Sequence, residues 1–262
     1  AFRDSRGNVV GPDAVEQRGG DDFVLKNSGE PVTRIVAKMS KSLKNVVNPD
    51  EIIAEYGADT FRIYEMYMGP LETDKPWNTR DVPGLFKLCQ RIWRLVVSEQ
   101  TGELSPALCN DPPDEENLRA LHKLIQKVGE DIEQLKLNTA IAAIFDFVNI
   151  MTPKDRRFRA VIEPFILTVA PFTPHLAEEL WNRLGHKKTL TYEPWPKFDP
   201  KLTRDEQVEV GVQIGGKLRA RILIPADADE KATETAALAD PKVMEALAGK
   251  TVRKVIVVKG RL

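Results

Sequence analysis

The chain has 262 residues, of which 42% are hydrophobic and 29% are charged, as expected of a folded globular protein. Its formal net charge of -1 excludes an overall basic field, so any contact with nucleic acid must come from local patches. Two cysteines without metal-ligand spacing, and the lack of an apolar run of ~20 residues, argue against a metal site, a disulfide framework and a membrane partner, and they favour the cytoplasm.

Residues 1–80 predict small strands, a basic loop and two short helices. Residues 1–37 are polar and rich in glycine, and Phe2 and Val9 flank a turn-rich stretch that predicts a hairpin. The first ten residues lack the apolar core of a signal peptide, so we expect the chain to begin in the middle of a larger fold.

A strong helix start follows the basic loop KMSKSLKNVV of residues 38–47. Asn48 is a good N-cap, Pro49 suits the first helical position, and Gly57 suits the position just after a helix, so this helix is short. Apolar residues that share one face predict a second helix from about Ala58 to Met68.

Residues 81–190 predict a helical bundle. Apolar residues recur at helical spacing in five segments, and the short connections between them favour antiparallel neighbours. A proline-containing linker, residues 102–115, separates the first segment from the second. Pro164 lies inside the fourth segment, residues 154–170, where it predicts a kink or a break.

The last part of the chain changes from helical period to strand period. Residues 191–204 contain three prolines and predict a linker, and residues 205–262 begin with two alternating runs that predict a β-hairpin. A three-residue loop, Gly215–Lys217, would keep the apolar and basic faces apart. Two helices and a closing strand, Thr251–Val258, complete a ββααβ module. The predicted fold class is therefore mostly α with a small α+β part.

The pentamer Lys38-Met39-Ser40-Lys41-Ser42 carries the clearest chemistry. Two lysines supply mobile positive charges, and two hydroxyls and nearby backbone N–H groups add donors, so the loop suits a phosphate group. It lacks the Gly-x-x-x-x-Gly-Lys frame of a Walker loop. An arbitrary pentamer of this composition is more often an ordinary solvated loop, and composition alone leaves that alternative open.

The pentamer is identical to the KMSKS signature of class I aminoacyl-tRNA synthetases. Further strings resemble the leucyl-tRNA synthetases of this class, including their helical bundle and the C-terminal domain of the bacterial enzymes. The segments that carry the resemblance are residues 38–49, 56–62, 137–143, 171–175, 212–219 and 251–256. The resemblance covers nearly the whole chain from residue 38 onward, and it departs at Gly215-Gly216, where Asn-Gly is expected.

The resemblance implies a domain order. Residues 1–80 would end the catalytic domain, residues 81–190 would form an anticodon-binding-type helical bundle, residues 191–204 a linker, and residues 205–262 a C-terminal tRNA-binding module. The family's His-x-Gly-His signature is absent, so the nucleotide-binding half and the leucine pocket would lie outside this chain. We therefore expect the full-length protein to be a monomeric leucine–tRNA ligase and the isolated chain to be inactive.

The resemblance also implies a reaction. Such enzymes activate leucine with ATP and transfer the leucyl group to leucine tRNA, with Mg2+ expected to accompany ATP. Lys41 and Lys38 would be catalytic, because they would neutralise charge as pyrophosphate leaves. Met39, Ser40 and Ser42 would complete the ATP-binding loop.

Basic residues of the last module are the candidates for tRNA contact. Lys217, Arg219 and Arg221 follow one strand with no acid between them, and Arg253 and Lys254 repeat the pattern near the end. An acidic helix between these strands suggests that the positive charge forms a separate patch for phosphate backbone. A charge run is usually only a solvated face, and charge alone leaves both possibilities open.

Three alternatives remain at this point. The chain would otherwise belong to an isoleucyl or a valyl synthetase, or it would be a stand-alone tRNA-binding module derived from a synthetase. The intact KMSKS loop favours an enzyme, and the C-terminal strings favour the leucyl family. The histidines and tryptophans are predicted to pack within the fold rather than to catalyse or to stack on bases.

Overall fold

The computed structural model describes residues 1–204, 207–225, 228–248, 252 and 254–257. The chain divides into two compact units, residues 1–197 and residues 198–262. Helices dominate and the sheets are small, so the predicted fold class is confirmed. Within the described ranges, every helix is too short or too polar to span a membrane.

A five-stranded antiparallel sheet forms the N-terminal part of the first unit. Its strands are β1 (Phe2–Arg3), β2 (Val9–Val10), β3 (Val15–Gly19), β4 (Asp22–Leu25) and β5 (Pro31–Arg34). Their order across the sheet is β2-β1-β5-β4-β3. The predicted hairpin is confirmed, with Phe2 opposite Val10.

Two short helices, α1 (Pro49–Tyr56) and α2 (Ala58–Tyr67), follow the basic loop. The side chain of Asn48 accepts a hydrogen bond from the backbone N–H of Asp50 at 3.1 Å, which satisfies one N–H at the start of α1. Gly57 joins the two helices at a φ of 85°, which only glycine adopts at little cost. The predicted start and end of α1 are confirmed.

Five helices build the bundle. They are α3 (Val82–Val96), α4 (Glu115–Glu133), α5 (Leu137–Met151), α6 (Arg159–Val169) and α7 (Pro174–Arg183). Their apolar faces share one buried cluster with residues of α1 and α2. Within it the rings of Phe147 and Phe165 stack with centroids 4.6 Å apart. Burial of each such ring stabilises the fold by roughly 1.5–3 kcal/mol.

A short parallel strand pair connects distant parts of the bundle. β6 (Leu108–Cys109), from the connection between α3 and α4, pairs with β7 (Arg157–Phe158), which precedes α6. The guanidinium of Arg157 donates to the carbonyls of Arg94, Met151 and Thr152 at 3.1–3.3 Å, near the ends of α3 and α5. The sequence predicted neither strand, because two residues are too few to show a period.

Helix α6 is continuous through Pro164, so the predicted break does not occur. The Thr168 hydroxyl donates to the Pro164 carbonyl at 2.8 Å, and the helix keeps its apolar face, which includes Ile162 and Phe165, in the core. This burial offsets the loss of one backbone hydrogen bond at the proline. The predicted start of this helix at Lys154 is also wrong, because β7 occupies part of that segment.

The second unit begins with a single helical turn, α8 (Pro200–Thr203), and the predicted hairpin. The hairpin strands are β8 (Gln207–Ile214) and β9 (Lys217–Pro225). Its turn contains two residues, Gly215 and Gly216, with φ of 58° and 77°, so the predicted three-residue loop is wrong. Positive φ at both turn residues matches the twist of paired strands.

A bulge in β9 explains how the hairpin keeps an apolar face with the shorter turn. Gln213 pairs with Leu218 and Val212 pairs with Ala220, so Arg219 is the extra residue. The bulge shifts the register by one residue, and apolar residues then meet along the rest of the hairpin. Regular pairing without a bulge would have required the longer, three-residue turn that was predicted.

Two helices follow the hairpin, as predicted: α9 (Glu230–Ala239) and α10 (Pro241–Leu247). Of the predicted closing strand Thr251–Val258, the described residues are Val252 and 254–257, and they are not a strand. Val255 and Ile256 are exposed. Alternating apolar and polar residues form a strand only where a neighbouring strand is available for pairing. Thr251, Arg253 and Val258 lie outside the described residues.

Candidate functional site

The KMSKS residues lie in a compact segment that we call the lysine loop, residues 37–45. Ser40 is extended, and its side-chain oxygen accepts a hydrogen bond from the backbone N–H of Leu43 at 3.3 Å. This bond begins a short 3-10 turn, Lys41–Leu43, and Lys44 ends the turn in the left-handed conformation at a φ of 49°. A serine that caps a turn in this way uses its side chain to replace a missing backbone partner.

Asn45 connects the two ends of the lysine loop. Its side-chain oxygen accepts from the backbone N–H of Ser40 at 2.8 Å. Its amide nitrogen donates to the carbonyls of Ala37 and Lys38, both at 3.4 Å. Sequence analysis missed this role, because the bonds run back over five to eight residues, beyond the local turns that an asparagine marks in a sequence.

The groups proposed to bind phosphate lie on the outer surface of the lysine loop. Lys38, Met39, Lys41 and Ser42 are exposed, and neither lysine has a salt bridge to any residue in the described ranges. The oxygens of Ser40 and Ser42 are 3.1 Å apart, so the structure brings the two hydroxyls together. Unpaired ammonium groups beside clustered hydroxyls are suited to bind an anion of high charge density.

Asp59, on α2, fastens the helices that follow the lysine loop to the bundle. Its buried carboxylate accepts from the backbone N–H of Leu176 at 2.7 Å and from that of His175 at 3.4 Å, in the first turn of α7. The ring nitrogen Nδ1 of His175 lies 2.9 Å from the same carboxylate. Asp59 therefore caps a helix to which it does not belong, since Thr173 at the N-cap makes no side-chain bond there.

The predicted tRNA-binding residues are only partly brought together. Lys217, Arg219 and Arg221 are exposed on β9, with Arg219 at the bulge. No acidic residue lies between them on β9, as expected. On the neighbouring strand β8, however, the carboxylate of Glu209 lies 3.5 Å from the guanidinium of Arg221. Lys254 is exposed, and Arg253 lies outside the described residues.

His122, His186 and most tryptophans pack at least partly within the fold, whereas the side chain of His175 is 76% exposed. His186 stacks on Trp181 with ring centroids 3.6 Å apart, and Trp77 contacts Tyr64 at 4.6 Å. Trp195 differs, since it is 41% exposed.

The lysine loop and the bundle match two known protein families. Residues 34–77 match tRNA synthetases class I (I, L, M and V), and residues 114–234 match the anticodon-binding domain of tRNA ligase. The first match contains the lysine loop together with α1 and α2, and the second contains most of the bundle and the hairpin.

Curated relatives are similar over the whole chain. The leucine–tRNA ligase of Mycobacterium ulcerans is 49% identical over 265 residues and 100% of this chain, and that of Streptomyces avermitilis is 49% identical over 98% of it. The chain spans 27% and 26% of the lengths of these relatives. A crystal structure of LeuRS from Agrobacterium radiobacter, in a ternary complex with tRNA and LeuAMS, superposes with a TM-score of 0.62 at 29% identity, over 84% of this chain and 30% of that one.

Proposed function

Since this chain belongs to the leucyl-tRNA synthetase family of class I tRNA synthetases, we propose that it is part of an enzyme that activates leucine with ATP and transfers it to leucine tRNA. In this proposal the chain supplies the phosphate-binding loop and the tRNA-docking part. The observation that carries it is the lysine loop, whose backbone is fixed by internal hydrogen bonds while its two KMSKS lysines remain exposed and unpaired among the described residues.

The proposed chemistry assigns roles to the lysine loop. A carboxylate oxygen of leucine attacks the α-phosphorus of ATP, the bond from that phosphorus to the pyrophosphate oxygen breaks, and its electron pair leaves with pyrophosphate. Negative charge therefore grows on the departing phosphates, where Lys41 would neutralise it and Lys38 would assist. Ser40 and Ser42 would donate hydrogen bonds or shape the loop, and Met39 completes it.

Magnesium is expected to accompany ATP in this family, but the described residues do not suit it as ligands. Mg2+ prefers carboxylate, phosphate and water oxygens in octahedral geometry. The lysine loop offers ammonium groups and hydroxyls, and in the described parts of the chain no three His, Cys, Asp or Glu side chains converge on a common point. We therefore assign none of the described residues as a ligand of Mg2+.

The proposed division of labour gives the chain four parts; the match over residues 34–77 supports the first, and the match over residues 114–234 runs through the proposed linker into the hairpin. Residues 1–80 would belong to the catalytic domain, residues 81–190 would form the anticodon-binding-type bundle, and residues 191–204 would link it to a tRNA-binding module at 205–262. Since the chain spans 27% of its relatives' length, the leucine pocket is proposed to lie in the remainder of the protein. The isolated chain is then inactive, and the whole protein works as a cytoplasmic monomer.

The test of the proposed function is the substitution Lys41→Ala in the full-length enzyme. Loss of a cation that stabilises the leaving group is expected to lower the rate of leucine-dependent ATP–pyrophosphate exchange by ~100-fold, comparable to the loss of one oxyanion-hole donor. Lys44→Ala is the matched control, because Lys44 is an exposed lysine of the same loop for which no contact with ATP is proposed.

The two outcomes separate a phosphate-binding loop from an ordinary solvated one. A large loss in Lys41→Ala with less than a two-fold change in Lys44→Ala supports the assignment. Equal, small effects of the two substitutions mean that the loop contributes only general positive charge, and the proposed function of this segment is then wrong.

A further inference from the structure

We propose that Asn45 is a positioning residue for leucine activation, in that its side chain holds the lysine loop in the form that presents Lys38 and Lys41. This inference rests on the proposed function of the loop. It starts from the three hydrogen bonds of Asn45, to the N–H of Ser40 at 2.8 Å and to the carbonyls of Ala37 and Lys38 at 3.4 Å.

These bonds join the part of the loop before the 3-10 turn to the part after it. Ala37 and Lys38 lie on the entering side, Ser40 caps the turn, and Asn45 follows it. The backbone between these points carries both KMSKS lysines. Because a lysine side chain is flexible, its ammonium group is held near one phosphate only if its own backbone is fixed.

The amide group explains why asparagine, rather than another residue, suits this position. One end of an asparagine side chain accepts a hydrogen bond and the other end donates, so it satisfies a backbone N–H and backbone carbonyls at once. An aspartate would keep the bond from Ser40 but would place a second acceptor against the carbonyls of Ala37 and Lys38. An alanine would remove all three bonds and leave those groups to water.

Asn45 is distinct from the residues proposed to touch the phosphates. Its side chain is half-buried and forms hydrogen bonds with backbone groups, whereas Lys38, Lys41 and Ser42 are exposed. Asn45 therefore acts through the loop backbone. An amide that acts in this way should influence the chemical step without changing the binding of leucine or tRNA.

The first experiment compares Asn45→Ala with Asn48→Ala in the full-length enzyme. Asn48 also bonds to backbone, but it caps α1 and makes no bond within the lysine loop. We expect Asn45→Ala to lower kcat for ATP–pyrophosphate exchange by ~10–100-fold, as displacement of a catalytic group by about 1 Å does, with KM for leucine unchanged. Asn48→Ala should lower Tm at least as much and change kcat by less than two-fold.

Asn45→Asp serves as the second variant, because it retains the acceptor for Ser40 and removes the donors. Its kcat should lie between those of the native enzyme and Asn45→Ala. Equal losses of kcat in Asn45→Ala and Asn48→Ala would show that general stability, not loop position, limits the rate, and the inference would be wrong.

A double-mutant cycle tests whether Asn45 works through Lys41. If it does, Asn45→Ala should lower the exchange rate much less when Lys41→Ala is already present, because the group to be positioned is gone. Full additivity would overturn the positioning role. Failure of the proposed function is distinguishable, since it appears as an unchanged rate in the single variant Lys41→Ala, whatever Asn45→Ala does.

Discussion

Cys89 is a half-buried thiol on the face of α3 that meets α2. Burial raises its pKa to about 11, although the Thr60 hydroxyl donates a hydrogen bond to its sulfur at 3.8 Å. The folded state thus keeps a proton on this group at a pH where an exposed thiol, with a pKa near 8.5, has lost it. Folding and deprotonation of Cys89 are therefore opposed in alkaline solution.

The predicted consequence is a loss of stability at high pH. Between about pH 8.5 and pH 11 the unfolded state binds fewer protons than the folded state, so the free energy of unfolding should fall by roughly 2 kcal/mol as pH rises. Urea denaturation at pH 8 and pH 10.5 measures this difference. The variant Cys89→Ala should show a smaller pH dependence than Cys109→Ala, and equal dependences would contradict the assignment.

The candidate site could be predicted from sequence only for residues whose own chemistry points to a ligand. Lys38, Ser40 and Lys41 belong to a string that suits phosphate by charge and donors alone. Asn45 and Asp59 could not be found in this way, because their partners are backbone groups whose positions exist only after folding. For Asp59 the partner helix lies far along the chain, and no local pattern marks such a pair.

Helix α7 depends on a cap supplied by another helix. The Asp59 carboxylate accepts two backbone N–H bonds in the first turn of α7, where the positive end of the helix dipole adds to the attraction. The contact with the His175 ring contributes less, since that side chain is 76% exposed and water screens it. The strength of the link therefore lies in the backbone bonds.

Two substitutions separate these contributions. Asp59→Ala leaves two N–H groups at the start of α7 without their acceptor, and we expect it to lower the free energy of unfolding by about 2–3 kcal/mol. His175→Ala keeps both backbone bonds and should cost less than about 1 kcal/mol. Thermal or urea unfolding of the chain provides the measurement, and equal costs would mean that the ring contact is the main link.

At the scale of elements, the spacing of apolar residues predicted most helices. It failed for features that depend on tertiary contacts, such as the register of paired strands. The start of α1 follows from Asn48, and α10 begins in the same way, since the side chain of Asp240 accepts bonds from the backbone N–H groups of Lys242 and Val243. The turn of the hairpin was predicted one residue too long, because the bulge at Arg219 carries no signature in the sequence. Pro164 predicted a kink or a break in α6, but the helix runs through it, and the burial that sustains the helix is visible only in the bundle.

The whole molecule has almost no net charge, so the exposed cations of β9 are its clearest candidates for contact with a phosphate backbone. Each lost phosphate contact should reduce the steepness with which binding weakens in salt. Arg219 forms no ion pair within the described residues, whereas Arg221 lies near Glu209. Arg219 should therefore contribute more.

The prediction concerns binding of this chain to leucine tRNA across a salt titration. Arg219→Ala should make the slope of log K against log salt concentration shallower by ~0.9 for a contact with a duplex phosphate. Lys231→Ala, an exposed cation on α9, is the control and should leave the slope unchanged. Slopes that do not differ between the two variants, or binding that is equal for a non-cognate tRNA and insensitive to salt, would mean that β9 is a solvated face.

The pairing of β6 with β7 has a consequence for the order of events during synthesis. β6 lies before α4, and its partner strand emerges from the ribosome only after α4 and α5 have been made. Until then, β6 has no partner strand. The carbonyls at the ends of α3 and α5 likewise lack their bonds to the Arg157 guanidinium. The contacts that Arg157 makes with the ends of α3 and α5 can therefore form only after both helices and residue 157 have been synthesised.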